Sequence, residues 1–181
     1  MIILIKPFGG HKLTPKEYIK LIVALILFVA LTLGLMKLII GKPKETKTIS
    51  QVSEVMTAHG YTITDITKNL HDKYPDVRLI EGYYYNKEDI QFEYYIFDDN
   101  KQAYAIKESI NSNMVNIKSN SENGSYSDDG QSANVSTFAL TADGKFYRYA
   151  LLRNTLLYVT CNEESKNEAY VVINELDYNV Y

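Results

Sequence analysis

A chain of 181 residues with one cysteine, Cys161, can form no internal disulfide, so its core must rest on packing alone. The formal net charge of −3 is unevenly spread: the first 48 residues carry +6 and the remainder −9. The acidic remainder argues against a nucleic-acid partner, since backbone binding runs on surplus Lys and Arg.

Residues 1–17 form a short basic tail in which Pro7, Gly9 and Gly10 break any continuous helix. It reads as an ordinary cytoplasmic flank, with lysines able to meet anionic headgroups. The stretch "YIKLIVALILFVALTLGLMKLII", residues 18–40, is the first feature with a clear physical demand. Its uncharged run, Leu21 to Met36, covers only ~24 Å of a ~30 Å hydrocarbon layer. Lys20 and Lys37 can lie along the helix and raise their ammonium groups to the headgroups. Counted from Ile19 to Ile40 the span reaches ~33 Å, enough to cross a bilayer with modest tilt. A cleaved signal would end in an A-x-A-like site, whereas Thr32 and Gly34 are followed by bulky Leu35 and Met36. The expectation is a retained transmembrane helix over 18–40, with the lipid bilayer as its partner.

Orientation is tied by flanking charge. Lys6, Lys12, Lys16 and Lys20 stand against Lys37, Lys42, Lys44 and Lys47. The composition beyond the span, poor in cysteine and rich in Asn, Ser and Tyr, breaks the tie toward an extracytoplasmic location. The expectation is a single-pass protein of the cell membrane, N-terminus inside and C-terminal domain outside.

After a linker at 41–48 containing Gly41 and Pro43, residues 49–181 fit one domain. A helix is expected from Ser50 to His59, with Val52, Val55 and Met56 on one face and Gly60 as a left-handed cap. "YTITDIT" alternates as a strand. Arg78–Tyr85 and Ile90–Phe97 follow as two longer strands, the second placing Ile90, Phe92, Tyr94 and Ile96 opposite Gln91, Glu93 and Tyr95. Asp99, with Gln102 three residues on, opens a helix whose apolar stripe is Ala103, Ile106, Ile110, Met114 and Ile117. The polar tract of residues 118–132 reads as a mobile loop. Three strands are expected near Asn134–Leu140, Lys145–Leu152 and Thr155–Cys161, the last two joined at Arg153-Asn154. A capping box, Ser165 with Glu168, begins the final helix.

The order helix, three strands, helix, three strands, helix specifies an α+β fold. Its sheet of about six strands is mostly antiparallel, with helices covering one face. The ending "KFYRYALLRNTLLYVTCNEESKNEAYVVINELDY" resembles that of small secreted or membrane-anchored proteins of Gram-positive bacteria: a strand, an R-N-T turn, an "LLYV"-type strand and a helix ending in Leu-x-Tyr. The resemblance implies location and fold, and no activity.

Catalytic and metal motifs do not surface. His71-Asp72 lacks further ligands at helical or hairpin spacing, and His59 suits a helix C-terminus. Asp98-Asp99-Asn100 and Asp128-Asp129-Gly130 lack the closing glutamate of a calcium loop and read as a cap and a turn. Cys161 sits in an apolar strand, and neither a nucleophile elbow nor a phosphate loop is present. No cofactor is expected.

Tyrosine is the unusual feature: fifteen lie beyond the span, and tryptophan is absent. In "GYYYNK" period-two geometry sets Tyr84 opposite Tyr83 and Tyr85. The Arg153-Asn154 turn sets Tyr149 opposite Tyr158 across the hairpin, with Tyr147 on the same face. With one sheet face covered, some of Tyr83, Tyr84, Tyr85, Tyr147, Tyr149 and Tyr158 should face outward as an interaction surface for a protein or cell-envelope partner. The alternative is that aromatic residues fill strands because they pack well there. The expected function is a membrane-anchored, non-catalytic binding module. The competing readings are a subunit of a larger membrane complex and an enzyme whose site joins distant residues.

Overall fold

The computed structural model describes residues 20, 22–32, 43–123, 125–132 and 134–180. The chain divides into two units, Met1–Gly41 and Lys42–Tyr181. In the first, residues 22–32 are helical (α1), and eight large apolar side chains between Ile22 and Leu31 are 47% to 65% exposed. Among the described residues no helix is long and apolar enough to cross a membrane. Of the expected span 18–40, residues 18, 19, 21 and 33–40 lie outside the described set, as does the tail 1–17.

The second unit is an α+β fold built on one seven-stranded antiparallel sheet. Its helices are α2 (Ile49–Ala58), α3 (Thr67–Lys73), α4 (Asn100–Ser119) and α5 (Lys166–Glu175). Its strands are β1 (Thr62–Asp65), β2 (Leu79–Lys87), β3 (Ile90–Phe97), β4 (Ser125–Gln131), β5 (Val135–Ala142), β6 (Lys145–Leu152) and β7 (Thr155–Asn162). The spatial order is β1-β2-β3-β7-β6-β5-β4, so two meanders meet where β3 pairs with β7. Short turns force β2 and β3, and β4 through β7, to be antiparallel to their sequence neighbours, whereas β1 reaches β2 through α3.

Helices cover both faces of the sheet, which corrects the expectation of one covered face. Val52 and Met56 of α2 and Ala169, Val172 and Ile173 of α5 pack on Tyr85, Phe92, Tyr94, Phe146, Leu157 and Val159. On the reverse face, Ala103 and Met114 of α4 pack with Leu79, Phe97, Leu140, Tyr149 and Leu156. Period two explains the division: Phe92 and Tyr94 point to the α2–α5 face, Tyr95 and Phe97 to the α4 face, and each face carries enough apolar area to need a cover.

The expected order of elements gains a helix and a strand. The polar tract holds β4, which pairs along its whole length with β5. Asp128 and Asp129 on this outermost strand discourage pairing with another chain. The seven-residue α3 follows β1 because Leu70 lies over Gly82, where a Cβ would come within 2.7 Å of the leucine Cδ1. The Thr67 hydroxyl also accepts from the Gly82 N–H at 3.0 Å.

Caps differ from expectation in one place. Ser165 makes no capping bond to α5; its hydroxyl donates to Asp89 at 2.9 Å, while Glu168 pairs with Lys87 at 2.6 Å. The reciprocal capping box is at Thr48 and Gln51, at the start of α2. Asp99 caps α4 by accepting from the Gln102 N–H at 2.8 Å, as the sequence predicts. Gly60 holds φ +82° just past α2.

Candidate functional site

The α4 stripe does not close fully on the sheet. Met114 and Ala103 are buried, but Ile106, Ile110 and Ile117 are only half-buried, because a cavity of about 300 Å³ opens beneath them. Leu79, Tyr95, Phe97 and Tyr158 form its floor on β2, β3 and β7. Leu70, Tyr74 and Val77, from α3 and the segment after it, form the second wall. Ser109 and Asn113 of α4 and the carboxylate of Glu93 supply the polar atoms. The size lies at the lower end for small-molecule sites, and the lining, mostly apolar with a few polar groups, is the common one.

Pairing register builds the polar end. Tyr84 lies opposite Glu93 across β2 and β3, and Glu93 lies opposite Tyr158 across β3 and β7. Tyr95, two residues along β3 on the same face, donates its hydroxyl to the Glu93 carboxylate. Burial, then the charge of Glu93, push the Tyr84, Tyr95 and Tyr158 phenols above their ordinary range. All three are therefore neutral at physiological pH; Tyr84 donates to Asn86 at 3.3 Å, and the rings of Tyr95 and Tyr158 wall the cavity.

The six tyrosines singled out from sequence do not form one surface. Tyr83 and Tyr85 stack at 6.4 Å on the α2–α5 face, and Tyr85 is fully buried with its hydroxyl 3.1 Å from that of Ser53. Tyr84 takes the opposite face, as alternation predicts. Tyr149 pairs with Tyr158 through the Arg153-Asn154 turn, and Tyr147 shares their face. Tyr149 is 3% exposed, stacked on Phe138 at 6.1 Å under α4. Tyr147 and Tyr158 are half-buried against the same core, and Tyr158 alone of the six lines the cavity. Since both sheet faces carry helices, the premise of an open tyrosine face does not hold.

Glu93 and Tyr95 were not singled out from sequence, although the β3 alternation places them together. Combining that face with the α4 stripe would have found them. Elsewhere, His59 bridges α2 to α5 through Glu175 at 2.8 Å, and Asp72 pairs with Lys68 at 2.7 Å within α3. Cys161 is buried, and burial pushes its thiol up to about 11, which suits packing rather than nucleophilic chemistry. Among the described residues no three His, Cys, Asp or Glu side chains gather to hold a metal ion.

No family model matches this sequence, and no curated protein matches it either. Two crystal structures are similar in outline. A GTP-binding regulator from Thermotoga maritima is 17% identical, with a TM-score of 0.43 over 74% of this chain and 87% of that one. The extracellular domain of PknH from Mycobacterium tuberculosis is 12% identical, with a TM-score of 0.38 over 75% of this chain and 95% of that one. At such scores neither likeness bears on what this chain does.

Proposed function

We propose that the chain is a membrane-anchored, extracytoplasmic binding module that holds a small apolar molecule between α4 and the sheet. The cavity under Ile106, Ile110 and Ile117 carries this reading, because well-packed cores leave few voids and this one has apolar walls. Its polar groups are the Glu93 carboxylate, the tyrosine hydroxyls and the side chains of Ser109 and Asn113, a set suited to orienting a ligand more than to covalent chemistry. The anchor is supported by the twenty-two-residue stretch Ile19 to Ile40, apolar but for Lys20 and Lys37, and by the exposed apolar side chains of α1. The acidic, cysteine-poor composition of residues 49–181 supports an outward orientation for that portion.

Carbon-13 labelling of methionine methyls in the full chain, held in lipid nanodiscs, tests the binding reading. Met114 borders the cavity, whereas Met56 lies in the opposite core cluster. Added 1-octanol should shift the Met114 signal saturably and leave Met56 in place, and Ile110→Trp should block the effect. An unmoved Met114 defeats the reading. Intact-mass measurement of membrane-extracted protein tests the anchor; a mature form beginning near Leu35 would sink it.

A further inference from the structure

Resting on that cavity reading, we propose that the occupant is a monomeric alkylammonium, with its tail under α4 and its cationic head at Glu93. Glu93 makes no ion pair with any described Lys, Arg or His; the acids that do are Asp72, Asp98, Glu108, Glu168, Glu175 and Asp177. Its one hydrogen bond from a described residue is the Tyr95 hydroxyl, which satisfies Oε2 and leaves Oε1 without a described donor. Lys107, on α4, is engaged elsewhere: it pairs with Glu108 at 2.7 Å and lies over the rings of Tyr104 and Tyr149.

A half-buried carboxylate at the rim of an apolar cavity offers a cation a partner that water screens only in part. An ammonium group would give Glu93 a charge-assisted hydrogen bond, and the Tyr158 hydroxyl, unpaired among the described residues, can accept a second. The rings of Tyr95 and Tyr158, which line the cavity beside the carboxylate, favour a cation further. An anionic head would be repelled by Glu93, and a neutral one would leave its charge uncompensated. At about 300 Å³, roofed by α4, the cavity admits one short chain rather than a lipid surface.

The test compares three probes of one tail length, octylammonium, 1-octanol and octanoate, on the full chain in nanodiscs of neutral lipid. Free probe is measured against empty discs, and the Met114 methyl is the reporter. Octylammonium should bind about tenfold more tightly than 1-octanol, with octanoate weakest. Glu93→Gln should abolish the preference for octylammonium while retaining 1-octanol binding. The headgroup comparison on the unmodified chain stands even if that variant folds poorly. Equal binding of octylammonium and 1-octanol, or tighter binding of octanoate, overturns the cationic head and leaves the apolar-ligand reading intact. If no probe moves Met114, both fail.

Discussion

The hydroxyl oxygens of Tyr94 and Tyr178 lie 3.0 Å apart in the core, within a chain of hydroxyls that ends on a backbone carbonyl at either side. Tyr94 donates to the Lys47 carbonyl at 2.6 Å, and Thr155 donates to the Leu152 carbonyl at 2.8 Å. Tyr178 stands between them, 2.6 Å from the Thr155 hydroxyl. Three hydroxyls carry three protons, yet the chain has four contacts. With both carbonyls satisfied, Tyr178 can donate to only one of its two neighbours.

Tyr178→Phe should therefore cost little, under about 1 kcal/mol, because both carbonyls keep their donors. Tyr94→Phe removes the donor to Lys47 and should cost about 1–3 kcal/mol, the range for a buried group left unpaired. Urea unfolding of the two variants checks this. A Tyr178→Phe loss equal to that of Tyr94→Phe would refute the proton count.

Gly82→Ala should destabilise by about 1 kcal/mol, the low end for overpacking, because its new methyl meets the flexible end of Leu70, which borders the cavity. Leu70→Ala in the same chain should recover part of the loss, since the clash is with that side chain. A double-mutant cycle by chemical denaturation measures the coupling. Additive costs would mean that α3 does not depend on this contact.

Stability should fall in alkali. Burial raises the phenol of Tyr85 to about 12 and moves those of Tyr61, Tyr94, Tyr149 and Tyr178 upward as well. Below the ordinary value of 10.0 both folded and unfolded chains hold these protons, and the stabilisation is complete. Above it the unfolded chain ionises first, so stability drops until the folded phenols ionise too. Melting temperature should decline steadily beyond that pH, with tyrosinate absorbance appearing together with unfolding. Tyrosinate forming fully in the folded protein would contradict this.

An alanine scan of Tyr83, Tyr84, Tyr85, Tyr147, Tyr149 and Tyr158 should rank by burial. Tyr85→Ala and Tyr149→Ala should cost about 3–5 kcal/mol, as large-to-small core changes do. Tyr84→Ala and Tyr147→Ala, both half-buried, should cost about 1–2 kcal/mol. Thermal or chemical unfolding gives the order. Equal losses at all six would place every ring in the core.

Amide exchange along Ser125–Gln131 should alternate. An outermost antiparallel strand directs every second N–H to its neighbour and the rest to solvent. Residue-resolved exchange should show slow and fast amides in turn, with the slow ones lost when β5 is disrupted. Uniformly fast exchange would return this tract to a loop.

Sequence alone determined the parts governed by local periodicity. Alternation placed Tyr84 against Tyr83 and Tyr85, and a two-residue turn at Arg153-Asn154 set Tyr149 opposite Tyr158. The i, i+3, i+4 spacing found the α4 stripe, and Asp99 marked its start. These follow from the backbone repeat and need no distant partner. The tertiary structure decided what depends on long-range contact. Pairing with β5 turned "SYSDDGQ" into a strand, because backbone hydrogen bonds do not require apolar side chains. Leu70 over Gly82 made a helix of seven residues that would be marginal alone. Covering helices on both sheet faces removed the open tyrosine surface. The cavity arose because α4 stands off a floor drawn from β2, β3 and β7. Glu93, Tyr95 and Tyr158 meet there through strand register, a distance relation that no single stretch of chain encodes.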